Sequence, residues 1–237
     1  MVAGFLVVFS EPGSQVSLEE FQDWYNNEHV PLRMNHLPSF HTGARFSASD
    51  SLKPSWLALY DIDDTSTFQH ESYTRLRANR SPREANLVGR LELLDRRTYE
   101  VLADSGESTK TSSLASSNPT NFVVTHGVII ATGQGISIWT KETFQQLTGV
   151  KGWVRTRIFK CIDNLKTGTA IVGKGPEVQA VSQYLVLHEL ENSSAGESSE
   201  FKDIVGVFPE GSVEIGELRT WSLYRAYPGI AQGNLGK

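Results

Sequence analysis

Apolar and polar positions change period several times along the chain, and they do so in nearly the same order twice. Residues 4–9 (GFLVVF) form an unbroken apolar run of strand length. Residues 18–34 then place Leu18, Phe21, Trp24, Tyr25 and Leu32 at helical spacing. Ser17 stands at the N-cap with Glu20 three residues on, the order of a capping box. Pro31, which has no N–H to donate, ends or kinks this helix just after His29. Residues 41–48 and 56–62 read as strands joined by the turn-rich SDSLKP. Residues 65–90 are polar-amphipathic and helical, with a break at Ser81-Pro82, and 93–102 alternates as a strand. The predicted order is β-α-β-β-α-β.

Residues 103–119 (ADSGESTKTSSLASSNP) have no hydrophobic period and read as a flexible linker. They separate a unit at 1–102 from a unit at 120–237. The second unit repeats the order less cleanly. It has strands at 121–130, 153–162, 183–190 and 217–227, with short helices at 141–147 and 198–205. Stretches 166–180 and 191–200 read as loops. Two local matches support a true repeat: WLALYDI at 56–62 with YLVLHEL at 184–190, and Arg97-Thr98-Tyr99 with Arg219-Thr220-Trp221. A β-α-β-β-α-β unit is ferredoxin-like, with both helices on one face of a four-stranded sheet. Here Phe5, Val7 and Phe9 alternate with Leu6 and Val8, so both faces must be covered. Two fused units achieve this by packing sheet against sheet. The expected fold class is α+β, two ferredoxin-like units forming an intramolecular dimeric-type α+β barrel.

Composition narrows the function. A net charge of −5 and a pI of 5.7 argue against a nucleic-acid interface, which needs a basic face. Cys161 is the single cysteine, so an intramolecular disulfide and a cysteine-cluster metal site are excluded, and a reducing, cytoplasmic setting is expected. No apolar stretch approaches the length of a membrane-spanning helix, and the N-terminal apolar run is too short for a secretory signal. No membrane partner is expected. The glycine pairs at 133/135 and 173/175 are too short for a dinucleotide loop.

The densest chemistry lies in WYNNEHVPLR at 24–33, which joins Glu28, His29 and Arg33 to Trp24 and Tyr25. An imidazole can take and return a proton near neutrality, and Glu28 or a carbonyl freed by Pro31 could orient it. The bland reading is a histidine that caps the helix end or completes a polar core contact. Arg45 suits an acidic or phenolate oxygen, or else a surface salt bridge. Tyr60 and Tyr73 could donate to a developing enolate, or simply pack. Trp24, Tyr25, Phe40 and Trp56 would form an aromatic wall, with His41 at the next strand's start. His29, His36 and His41 lack zinc-helix spacing, so no metal is expected.

The segment F-x-D-W-Y-N-N-E-H-V-P-L-R at 21–33 resembles the first-helix signature of EthD-like members of the dimeric α+β barrel superfamily. PSFHTGARF at 38–46 resembles the segment that follows it there, and SWLALY at 55–60 the third strand. The match covers 4–102 in order and 121–227 only as an architectural echo. It implies a small pocket between helices and sheet, lined by His29, in a superfamily of cofactor-independent monooxygenases, polyketide cyclases, lactone isomerases, dehydratase-like proteins and haem proteins. The second half lacks the W-Y-N-x-E-H-x-P element, and its first helix looks shortened. One site, in the first half, is therefore expected.

Three readings follow. The first is an enzyme with no bound cofactor, a cyclase, dehydratase, decarboxylase or related lyase acting on a polyketide, aromatic or terpenoid small molecule. His29 would move the proton, and Arg45 or Tyr60 would stabilise negative charge. The second is a cofactor-free or haem-dependent monooxygenase. The third is a non-catalytic stress-related binding protein, favoured if Trp24, Phe40 and Trp56 fill the space beside His29. The chain would be a pseudo-dimer, with further homo-oligomerisation open.

Overall fold

A computed structural model describes residues 2–106, 110, 114–130, 135–173, 175–207 and 212–233. The first unit contains β1 (Gly4–Glu11), α1 (Leu18–Trp24), α2 (Pro31–Met34), β2 (Gly43–Ala48), β3 (Trp56–Ile62), α3 (Glu71–Ala78), α4 (Pro82–Arg90) and β4 (Leu93–Asp104). The second contains β5 (Phe122–Ile130), α5 (Gly135–Leu147), β6 (Trp153–Thr167), β7 (Tyr184–Leu190), α6 (Ser193–Glu197), α7 (Ser199–Val205), β8 (Ser212–Tyr227) and the terminal turn α8 (Ile230–Gly233). The eight strands close a barrel in the order β1-β3-β2-β8-β5-β7-β6-β4, with every neighbouring pair antiparallel. Each unit supplies one half, and β2·β8 and β4·β6 are the seams. Among the described residues no helix is long and apolar enough to cross a membrane.

Strand alternation sorts the apolar residues into layers. Phe5, Val7 and Phe9 join Leu57, Leu59, Phe159, Leu187 and Trp221 inside the barrel. Phe5 stacks on Phe159 with ring centroids 4.1 Å apart. Leu6 and Val8 face the other way and meet Phe21, Trp24, Tyr25 and Leu87 under the first unit's helices. Strand registers confirm the internal repeat. Leu6 pairs with Tyr60 as Val124 pairs with His188, and Val7 pairs with Arg97 as Thr125 pairs with Arg219. The matched Tyr99 and Trp221 both point into the barrel.

Several elements depart from the sequence pattern. Helix α5 is 13 residues long rather than seven, because Thr140 and Thr143 take buried positions beside Ile136 and Trp139. Threonine hides such a stripe in the sequence, yet the Thr140 hydroxyl is satisfied by the Ile136 carbonyl at 2.6 Å. Strand β6 runs to Thr167 since its far end pairs with Leu94 on β4. The stretch 191–200 contains α6, capped by Asn192. Within the linker stretch, β4 extends as far as Asp104, and Leu114 is fully buried in the barrel cluster. A lone leucine in a polar stretch gains by leaving water, and the interior accepts it.

A buried charge trio joins the units. Arg157 on β6 makes an ion pair with Asp61 of β3 and lies 3.1 Å from Glu189 of β7. Asp61 and Glu189 hold matching positions in the two units. Thr42 donates to Asp61 at 2.5 Å and Thr120 to Glu189 at 2.9 Å. Burial opposes the Arg157 charge, but the two acids push its pKa above the ordinary arginine value. Burial would likewise raise the Asp61 carboxyl, yet Arg157 and Thr42 hold it below the usual range. Arg157→Met strands the fully buried Glu189 and leaves the 21%-exposed Asp61 without its cation, and is predicted to cost about 3 kcal/mol in urea unfolding. Adding Asp61→Asn and Glu189→Gln should restore most of that loss; an unchanged midpoint for Arg157→Met alone would contradict the assignment.

Under the second unit's helices, His126 and His188 bring their Nε2 atoms to 3.1 Å, and His188 Nδ1 lies 2.9 Å from the Thr156 hydroxyl. Burial pushes His126 down to about 4 and His188 well below its ordinary value. The unfolded chain therefore binds protons near pH 6.5 that the folded chain refuses. Stability is full above that pH and is lost as pH falls toward 4, with a limiting slope of about 1.4 kcal/mol per pH unit for each imidazole. Replacing the pair by the residues at the matching first-unit positions, His126→Val with His188→Tyr, should flatten the acid limb of a stability–pH profile. An unaltered limb would assign it to other groups.

Candidate functional site

The helix that carries His29 is broken in a specific way. Ser17 accepts the Glu20 N–H at 3.1 Å and opens α1. After Trp24 the chain forms a π-helical turn, Tyr25–His29, closed by the Val30 N–H on the Tyr25 carbonyl at 3.0 Å. Pro31 then starts α2, where its missing N–H is tolerated. The freed His29 carbonyl accepts Arg33 Nη1 at 2.6 Å. The wider turn sets the His29 ring against Trp24 and Tyr25, at centroid distances of 4.6 and 5.1 Å.

His29 is oriented by Glu84, not by Glu28 or a backbone carbonyl. Its Nδ1 lies 2.6 Å from Glu84 Oε1. A carboxylate only accepts, so Nδ1 carries the hydrogen and Nε2 keeps the lone pair. Burial, reinforced by the Arg33 cation, pushes His29 down to about 4 despite Glu84. Burial would raise Glu84, but its bond to His29 holds it below the ordinary carboxylate value. Glu28 turns away: it accepts from the Ser81 hydroxyl and lies 3.7 Å from Arg83. The sequence did hold a sign of Glu84. Ser81-Pro82-Arg83-Glu84 is a capping box, and Ser81 Oγ accepts the Glu84 N–H at 3.0 Å. In such a box the Glu returns to its own helix start; here the side chain crosses to His29.

Arg45 is neither on the surface nor in a salt bridge. It is 1% exposed, and its guanidinium carbon sits 3.9 Å from the Tyr25 ring centroid and 5.1–5.2 Å from those of Phe21, Trp56 and Tyr224. Its polar partners are neutral amides, Gln22 at 2.6 Å and Asn26 at 3.4 Å. No ion pair to Arg45 occurs among the described residues, and its Nη2 has no hydrogen-bond partner. The Tyr60 and Tyr25 hydroxyls are also buried without a partner. Burial raises the pKa of both, so each hydroxyl keeps its proton. Gly43 permits the approach of Tyr60, since a Cβ there would stand 2.9 Å from Met34 Sδ and 3.1 Å from Tyr60 Cδ1. Tyr25 thus touches the caged cation on one side and His29 on the other. The second unit contributes Tyr224, 41% exposed at the rim, and Tyr227, whose hydroxyl donates to Asn26 at 2.5 Å.

The remaining expected residues divide. Trp24 and Phe40 are fully buried, and Trp56 is half-buried against the same cluster. Phe40 contacts Tyr60 and Tyr73 at 5.6 and 5.8 Å. The Tyr73 hydroxyl is engaged by Arg96 Nε at 2.9 Å and is not offered to the His29 cluster. His41 is exposed and lines a separate cleft of about 280 Å³ beside Asp61 and Arg157. No group of three or more His, Cys, Asp or Glu able to hold a metal occurs among the described residues. The three inward-facing histidines are not placed to ligate a haem. His126 and His188 are sealed and bonded to each other, and His29 is held by Glu84 between aromatic rings. None of the three lines a described cleft.

No protein-family profile matches the sequence, and no curated protein sequence matches it. Solved structures do match. An anthrone oxidase-like protein superposes with a TM-score of 0.61 at 10% identity, over 98% of this chain and 94% of its own. A candidate monooxygenase from Fusobacterium nucleatum gives 0.54 at 8% identity, over 96% and 94%. A candidate chlorite dismutase gives 0.54 at 10% identity, over 99% of both chains. At such identities the likeness speaks for the fold. The chain has the dimeric α+β barrel fold, completed within one polypeptide by two ferredoxin-like units.

Proposed function

We propose that the first unit acts on a small acidic or enolisable molecule by proton transfer, without a bound cofactor. The observation that carries this reading is a buried, caged guanidinium with no carboxylate partner, one aromatic ring away from a histidine held by a glutamate. A buried positive charge is costly unless paired, and an anionic substrate oxygen would complete it. His29 Nε2 accepts a proton from a carbon or hydroxyl next to that oxygen. Glu84 stabilises the imidazolium that forms, and Arg45 with the Tyr60 hydroxyl stabilises the developing enolate or phenolate. The proton then returns to a different atom of the substrate, or leaves with a hydroxyl group as water. These are the isomerising, cyclising and dehydrating outcomes.

The same proton abstraction would serve a cofactor-free oxidation, in which the carbanion hands electrons to oxygen. The likeness to an anthrone oxidase-like protein favours this second reading. The close packing of Trp24 and Phe40 beside His29 instead favours a binding protein without turnover. One set of assays separates the three. With phenolic and anthrone-type substrates, His29→Ala should lower kcat at least about a hundredfold in a folded protein, and Arg45→Gln should mainly raise KM for acidic substrates. Oxygen uptake in step with turnover selects oxidation. Ligand binding that depends on Arg45 without turnover selects the binding protein, and full activity in His29→Ala would falsify the proton-transfer site.

A further inference from the structure

A second cationic site lies at the β4·β6 seam. Arg77 near the end of α3, Arg80 in the turn before α4 and Arg96 on β4 line a cleft of about 380 Å³ at the β4·β6 seam. Its apolar walls are Val88 and Leu94 from the first unit and Leu165 from the second. No carboxylate lines this cleft among the described residues. Arg96 is fixed in place, with Nε on the Tyr73 hydroxyl at 2.9 Å. Its acidic neighbour Asp163 is 3.5 Å away and 67% exposed, and with Glu100 it lines an adjoining cleft of about 490 Å³ that Arg77 and Arg96 also border. No ion pair to Arg77 or Arg80 occurs among the described residues. Burial, together with the Arg96 cation, holds Arg77 below the ordinary arginine value. Three like charges in a concave, partly dry site repel one another and focus a positive potential outward.

We propose that this cleft binds an amphipathic organic anion, its phosphate or carboxylate head on Arg77, Arg80 and Arg96 and its apolar body against Val88, Leu94 and Leu165. A guanidinium cluster matches an oxyanion by forked, charge-assisted hydrogen bonds. The exposed Leu165, on the second unit's half of the seam, supplies surface that a purely ionic ligand would leave wet. Its lining residues are not those of the His29 cluster, although the Arg80 cation acts on His29 and Glu84, and the binding expected here does not depend on that cluster being catalytic.

The test is calorimetric titration of the full chain at low salt with octyl phosphate, kept below its micelle concentration, and with octanoate, inorganic phosphate and neutral octyl glucoside. The expected result is that octyl phosphate or octanoate binds at least about tenfold more tightly than both octyl glucoside and inorganic phosphate. Arg77→Gln with Arg80→Gln should weaken that binding by about tenfold or more, while the melting temperature holds or rises because mutually repelling charges are removed. Which of the two anions binds better identifies the head group. Failure of both to bind, equal affinity for the neutral analogue or for inorganic phosphate, or unchanged binding in the double variant would each overturn the proposal.

Discussion

The barrel depends on a charge that has nowhere else to go. Arg157 is 3% exposed and is answered by one acid from each unit, Asp61 and Glu189. Such a trio contributes little net stability compared with an apolar core, but it strongly disfavours any arrangement that separates its members. The units must therefore meet in one register, with β6 beside β4 on one side and β7 on the other. Arg219 makes a similar connection at the opposite seam, binding Asp50 and the carbonyls of Leu52, Lys53 and Pro54 in the first unit's β2–β3 loop.

Within that frame the two units have diverged at matching places. The register that pairs Arg45 with Ala58 pairs Ile158 with Val186, so the caged guanidinium of the first unit corresponds to a buried isoleucine in the second. Tyr60 corresponds to His188, and Val8 to His126. Even Arg157 is a single-copy residue, since Ala44 fills its counterpart position. The first unit concentrates a cation, two unpartnered hydroxyls and a histidine–glutamate pair under its helices. The second unit encloses two neutral imidazoles among apolar side chains. The chain is symmetric in its backbone and asymmetric in its chemistry.

Much of this was legible in the residues. Strand alternation on both faces of β1 required a second covering layer, and the paired motifs at 56–62 and 184–190 occupy equivalent strands. The site was legible only where it is contiguous. Trp24, Tyr25, His29 and Arg33 lie within one turn-and-helix segment, whereas Glu84 reaches His29 from 55 residues away. A capping box signals a helix start, not where its glutamate will point. An arginine in a strand reads equally as an anion anchor or as a surface charge; only the fold supplies the aromatic rings that enclose Arg45. Tyr224, an aromatic of the second half, was open to a site or a core role, and Tyr227 beside it carries no local signal that it reaches Asn26 of the first unit.

The buried Leu114 gives the connecting segment a role that its composition conceals. Fused repeats face a hazard that separate subunits do not: the half-barrels of two chains can trade partners and form an interlocked dimer with all the same strand contacts. A fully mobile tether sets little resistance to that exchange beyond the local concentration it imposes. With its one leucine sunk among Phe5, Phe159 and Trp221, the tether is anchored to the barrel that its own two halves enclose. Opening the barrel draws that side chain into water, an added cost that a segment of polar residues alone would not impose.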